Sequence, residues 1–195
     1  MIDYIKGQII ELTPTELILE NHGIGYSLLI SLQTYEAFQL QTQVVVYVHH
    51  YIREDEELFY GFATKDEREL FRLLIGVSGI GVASARMMLS TLSSEEIRQA
   101  ILAEDVNRIK SVKGIGLKSA QRLVLELKDK IVKGGGAEST VLFKADSSAL
   151  VEEATTALTM LGFSKAQIGK VMPAILKENP SAKVEDIIKA ALKRL

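Results

Sequence analysis

Two stretches decide how this chain folds: "VSGIGVASA" at residues 77–85 and "VKGIGLKSA" at residues 112–120. Aligned at an offset of 35 residues, Val77, Gly79, Ile80, Gly81, Ser84 and Ala85 recur as Val112, Gly114, Ile115, Gly116, Ser119 and Ala120. Each copy follows an apolar stretch of helical period and precedes another, "ASARMML" and "KSAQRLVLELKDKI", so the unit is helix, tight glycine turn, helix, present twice. Glycines without Cβ let a backbone approach a ligand closely. The N–H groups opening the next helix are unpaired and sit at the positive end of its dipole, so such a turn suits a phosphate. Isoleucine between the glycines points back to pin the turn on the core. Ser84, Ser119, Lys118 and Arg122 can add donors or charge, with Arg86 a further donor for the first turn. Two matched turns can grip both strands of a duplex across a groove, through phosphates and therefore without regard to base sequence.

A third Gly-Ile-Gly, in "HGIGYSL" at 22–28, belongs to a different context. It stands between strand-like segments and is followed by Tyr26, Leu28 and Ile30 in alternation, so its glycines serve a hairpin turn. Nucleotide-loop readings fail on spacing. Lys118 is two residues after Gly116 and position 111 is Ser, which breaks a phosphate-binding P-loop pattern, and both copies lack the third glycine of a dinucleotide fingerprint.

Charge and period divide the 195 residues at common boundaries. Residues 1–62 carry two Lys/Arg against nine Asp/Glu, net −7; residues 63–133 are +4; residues 134–195 are +1; the whole is −2. Residues 106–133 hold eight basic side chains and only Glu126 and Asp129 as acids, a basic patch beside an acidic neighbour. "YIKGQIIEL", "ELILEN", "IGYSLLIS", "QVVVYVHHYI" and "LFYGF" read as about five short strands within residues 1–62, enough for a small barrel. From Thr64 the period is helical, and "TKDE", "SSEE" and "SKAQ" each fit a capping box. "KGGGAESTVLFKADSS" at 133–148 reads as a flexible linker. Beyond it, Leu150, Ala154, Leu158 and Leu161 form one stripe and Val184, Ile187, Ile188, Ala191, Leu192 and Leu195 another, with Pro173 expected to kink or interrupt the helix between them.

The expected architecture is multidomain, β followed by all-α: a barrel at 1–62, a tandem helix-hairpin-helix domain at 63–133, a linker at 134–147 and a three-helix mini-domain at 148–195. The absence of cysteine excludes disulfides, thiolate metal sites and a cysteine nucleophile and suits a reducing cytoplasm. Asp3 and Lys6 interrupt the first apolar stretch, so it does not read as a signal peptide, and no run approaches a membrane span. His49 and His50 are adjacent on a strand and point to opposite faces, so they do not jointly hold a metal. No metal, cofactor or catalytic residue is expected.

The acidic run "REDEE" at 53–57 admits two readings from its residues. The plainest is a solvated hairpin tip. Clustered carboxylates can also hold Mg²⁺ for a structure-specific nuclease, or a glycosylase could pair this cluster with the hairpins, but no second carboxylate cluster or catalytic Lys or His accompanies it.

The paired hairpins, the barrel ending in "YIREDEELFYGF" and the helical C-terminus after a glycine-rich stretch together resemble the RuvA family of bacterial Holliday-junction-binding subunits over the whole chain. The resemblance implies an oligonucleotide-binding (OB) type barrel, a homotetramer, singly or as two tetramers around one junction, and a non-enzymatic, cytoplasmic role in recombination, repair and the SOS response. It implies four-way junction DNA and the RuvB motor ATPase as partners, with the RuvC resolvase as a further one. Carried over by position, Gly79, Gly81 and Ser84 match the first DNA-binding hairpin and Gly114, Gly116, Lys118, Ser119 and Arg122 the second. Glu54 and Asp55 match an acidic pin at the centre of the tetramer, where the resemblance implies that carboxylates repel the crossover phosphates; Leu158, Leu161 and Phe163 match the face presented to the motor, their other reading being the core of the mini-domain. One departure stands out: Ala83 occupies the place where the first hairpin often carries lysine.

Overall fold

Alternation of apolar and polar residues builds the first half. In the computed structural model, which describes residues 1–134, 147–179 and 182–195, the strands are β1 (Tyr4–Leu12), β2 (Glu16–Asn21), β3 (Ile24–Ile30), β4 (Gln43–Ile52) and β5 (Glu57–Phe62), with helix α1 (Leu32–Phe38) between β3 and β4. They close in the order β1-β2-β3-β5-β4, with β4 returning to pair with β1. All pairs are antiparallel except β3 with β5. Period-2 side chains fill the interior: Leu17, Leu19, Leu28, Ile30, Val44, Val46 and Val48 are buried together with Ile5 and Phe38. At the β2–β3 turn His22 (φ 48°) and Gly23 (φ 85°) both take the left-handed conformation of a two-residue hairpin, so of the first Gly-Ile-Gly only Gly23 makes the turn.

The helical region continues directly from β5. Helices α2 (Lys65–Ile75), α3 (Val82–Thr91), α4 (Ser94–Leu102), α5 (Val106–Lys110) and α6 (Leu117–Gly134) enclose a second core. Tyr60 and Phe62 of β5 belong to that core with Leu70, Phe71 and Leu74 of α2, so one strand serves as a wall of both layers. Residues Met1–Ala137 accordingly form one compact unit and Glu138–Leu195 another. The stretch 135–146, where the sequence places a linker, lies outside the described residues.

Two of the three capping boxes are complete, at Ser93/Glu96 and Ser164/Gln167. At the third, Thr64 accepts from the Glu67 N–H at 3.1 Å, but the Glu67 carboxylate turns inward instead of closing the box. There it accepts from Ser31 Oγ (2.5 Å), Thr34 Oγ1 (2.7 Å) and the Ala63 N–H (3.3 Å), joining α1, β5 and α2 at a buried point. Beside it the buried Arg68 donates to the carboxylate (2.6 Å) and carbonyl (2.7 Å) of Asp3, which ties the N-terminus to α2. Burial raises the Glu67 pKa above its ordinary 4.5, against the three donors that favour the charged form. The folded protein therefore binds this proton more tightly than the unfolded chain. Stability falls as pH rises from about 4.5 through the raised folded value, then levels. Denaturant titrations across this window should show that slope in the parent and lose it in Glu67→Gln. Glu67→Ala, which leaves the hydroxyl hydrogens of Ser31 and Thr34 without an acceptor, should cost about 3 kcal/mol at the acid end of this window and less above it.

In the second unit α7 (Ser147–Met160), α8 (Lys165–Glu178) and α9 (Val184–Leu192) close on Ala154, Leu158, Ile168, Met172, Ile175, Ile187 and Ala191. Pro173 does not interrupt α8, which runs unbroken through it. Gly169, whose carbonyl loses its partner, and Pro173 are both exposed, so the freed carbonyl can turn to water.

Candidate nucleic-acid interface

Each hairpin is a type II turn followed by a helix N-terminus. The Ile80 N–H donates to the Val77 carbonyl (3.0 Å) and the Ile115 N–H to the Val112 carbonyl (3.2 Å), with Gly79 and Gly114 both at φ 92°. That left-handed conformation is why glycine stands at these two positions. Ile80, Ile115, Val77 and Val112 are buried and anchor the turns. Gly81 then caps α3 in extended conformation (φ −88°, ψ 169°) with no side-chain cap bond, and the first turn of N–H groups is left unpaired. A Cβ added at Gly81 or Gly116 would meet nothing within 4 Å, so both helix starts open onto free space.

The hairpins face each other. The Ser119 hydroxyl lies 3.2 Å from where a Cβ on Gly79 would stand, and the Ser84 hydroxyl 4.0 Å from the corresponding point on Gly114. This exchange is the approximate two-fold relation expected from the repeated sequence.

Charge is unequal between them. Lys113 and Lys118 flank the second turn, exposed and without an ion pair among the described residues, whereas the first has Ser78 and Ala83 at those places. Arg122, one turn along α6, is held by Glu126 at 2.6 Å. Arg86 does not face the first turn: its guanidinium donates to the Thr15 carbonyl in the β1–β2 turn at 3.3 Å, bracing barrel against helix. A sequence offset fixes which residues correspond but not where a long side chain points.

Glu54 and Asp55 occupy the tip of the β4–β5 hairpin, whose four-residue loop is closed by the Arg53 N–H donating to the Glu56 carbonyl at 2.8 Å. Both are exposed and unpaired. The loop's one cation, Arg53, folds back over the Tyr51 ring at 5.1 Å, and Glu57 is held by His50 at 2.7 Å down the stem, so Glu54 and Asp55 have no cation beside them at the tip. His49 packs on Phe71, where burial lowers its pKa. Among the described residues no group of three or more His, Asp or Glu side chains is placed to hold a metal ion, and no helix is long and apolar enough to cross a membrane.

The stretch "LTMLGF" forms a Schellman ending to α7. Gly162 (φ 100°) donates to the Thr159 carbonyl and Phe163 to the Leu158 carbonyl, and Phe163 packs on the core. Leu158 is fully buried there, in keeping with the second of its two sequence readings, the core of the mini-domain. Leu161 is 60% exposed and Met160, which the sequence does not single out, is 86% exposed.

Residues 1–61 match the family model for the RuvA N terminal domain, residues 71–129 that for a SAM-like helix-hairpin-helix tandem, and residues 149–195 that for the RuvA C-terminal domain. A protein of Christiangramia forsetii is 51% identical over all 195 residues of this chain and the full length of its own. The chain belongs to the RuvA family. A RuvA of Bacteroides thetaiotaomicron is 50% identical and one of Porphyromonas gingivalis 42%, again over the whole of both chains. All three relatives bear the name Holliday junction branch migration complex subunit RuvA. In this member of the family the hairpin pair, the acidic tip and the capped end of α7 are three separate features, the first two on the 1–137 unit and the third on the other.

Proposed function

We propose that this chain binds four-way DNA junctions without regard to base sequence, holds them open and recruits the RuvB ATPase for branch migration, itself performing no catalysis. The observation that carries the reading is the facing pair of glycine turns, each ending in a helix start open to a phosphate. Gly79, Gly81, Ser84, Gly114, Gly116, Lys118 and Ser119 bind the backbone of a duplex arm, with Arg122 joining when DNA competes for it against Glu126. Four copies around a fourfold axis give each arm its own hairpin pair. Glu54 and Asp55 then face the crossover, where carboxylates repel phosphates and disfavour a closed junction. Residues 1–62 and 63–133 act as the junction-binding body, 134–147 as linker and 148–195 as the motor-binding part, with Leu161 and Met160 as its contact and Phe163 shaping it. The same assembly leaves the resolvase RuvC a junction face to act on, in the cytoplasm.

The test is a mobility-shift competition between a four-way junction and linear duplex, with the mass of the complex measured by light scattering. A tetramer preferring the junction is expected; a monomer binding both equally overturns the reading. In the same assay Glu54→Gln with Asp55→Asn removes two repulsions per subunit and should tighten binding to all DNA roughly fivefold while narrowing the preference for the junction. Unchanged affinities on both substrates would make the tip an ordinary solvated turn. Strand cleavage with Mg²⁺ that vanishes in Glu54→Ala with Asp55→Ala would favour a nuclease.

A further inference from the structure

Ser84 and Ser119 occupy the third position of α3 and α6, where a Glu or Gln would reach back to the backbone N–H of the helix cap. Neither hydroxyl makes a hydrogen bond among the described residues. Both are half-buried, and each stands by the first glycine of the opposite hairpin, Ser119 at 3.2 Å from the Cβ position of residue 79 and Ser84 at 4.0 Å from that of residue 114. The closer approach is to the hairpin that is poorer in charge. With Ser78 and Ala83 at its lysine positions and Arg86 directed to Thr15, the first turn has no cation beside its backbone N–H groups.

We propose that the two hairpins are cross-wired: Ser119, carried by the second motif, donates its hydroxyl to the phosphate held by the first. The inference rests on the reading that the hairpins hold DNA phosphates. A hydroxyl placed in this way adds a charge-assisted hydrogen bond where no cation is available. Ser84 stands in the reciprocal place but farther away, toward a turn already served by Lys113 and Lys118. The two serines are therefore unequal in effect although the sequence repeat makes them equivalent.

Double-mutant cycles on the full chain decide it, because Gly81 and Gly116 offer clean probes of each hairpin. A methyl at either meets nothing in the protein, and Gly81 already has a conformation any residue adopts, so Gly81→Ala and Gly116→Ala should fold normally and obstruct only an approaching phosphate. Kd for a fluorescent four-way junction is measured for these, for Ser119→Ala, and for the two combinations, with thermal melts confirming the fold. Ser119→Ala alone should weaken binding roughly tenfold, and Ser119→Thr, which keeps the hydroxyl, should restore it. Added to Gly81→Ala it should cost little more, since the first phosphate is already released; added to Gly116→Ala it should retain its full effect. The cross-wired assignment is overturned by coupling to Gly116→Ala instead, by additivity with both, or by wild-type affinity in Ser119→Ala. If neither Gly81→Ala nor Gly116→Ala weakens binding, the hairpins are not phosphate sites and the broader reading fails with it.

Discussion

Gly114→Val should reduce junction affinity at least about a hundredfold while leaving the chain folded. Gly114 holds φ 92° at the third position of a type II turn, a region where a β-branched residue is a severe steric outlier. Valine there costs on the order of 2 kcal/mol in the turn, and the chain can relieve the strain by turning the peptide over. The core need not pay, because Val112 and Ile115 on either side remain buried anchors. What moves is the start of α6: the N–H groups after Gly116 lose their common direction, and the Lys118 ammonium moves with them. In the proposed tetramer every subunit carries the change, so the loss multiplies over the arms of one junction. Junction titrations beside circular-dichroism melts check this, and a folded Gly114→Val protein with wild-type affinity would reduce the second hairpin to a helix connection. Gly116→Val makes the informative contrast. With nothing within 4 Å of its Cβ, it should weaken binding with no loss of melting temperature.

The contrast between Gly114 and Gly116 also marks what the sequence could and could not disclose. The duplicated motif was legible because a glycine turn has few alternatives and two copies at a fixed offset leave fewer. The five strands were legible from their alternation, and the turn at His22–Gly23 from its glycine. Helix α1 was not, since seven residues with Thr34 and Phe38 turned inward do not establish a period. Without α1 the role of Glu67 was hidden: the capping pattern is local, whereas the hydroxyls of Ser31 and Thr34 that draw its carboxylate inward come from more than thirty residues away. Arg86 illustrates the same limit in reverse, a cation beside a phosphate-binding motif that the fold directs to Thr15. In the C-terminal unit the helical stripe places Leu158 and Leu161 on one face, but the helix ends between them in the turn at Gly162, so one is interior and the other solvent-facing.

Deleting Glu138–Leu195 should leave junction affinity within about twofold of the full chain and abolish motor-driven branch migration. The first half of this expectation follows from the cores. The barrel closes on Leu17, Leu19, Leu28 and Val46, and the helical layer on Phe71, Met88, Ile101 and Leu127, all contributed by residues before 138. Both hairpins and the acidic tip belong to the same unit, so every group assigned to DNA survives the deletion. The second half follows from tethering. The removed helices close their own core around Leu158, Ile168 and Ile187 and should fold by themselves, with Met160 and Leu161, the proposed motor contact, still exposed. Supplied as a separate piece at micromolar concentration, however, they engage the motor without holding it at the junction, because the covalent connection normally supplies an effective concentration nearer millimolar. Strand-exchange assays with the truncated protein, alone and with the excised piece, should therefore show no ATP-dependent migration in either case, against full activity for the intact chain. Loss of junction affinity on truncation would mean that the helices beyond 138 support the DNA-binding body directly, and restored migration with the piece added in trans would mean that recruitment does not depend on the tether.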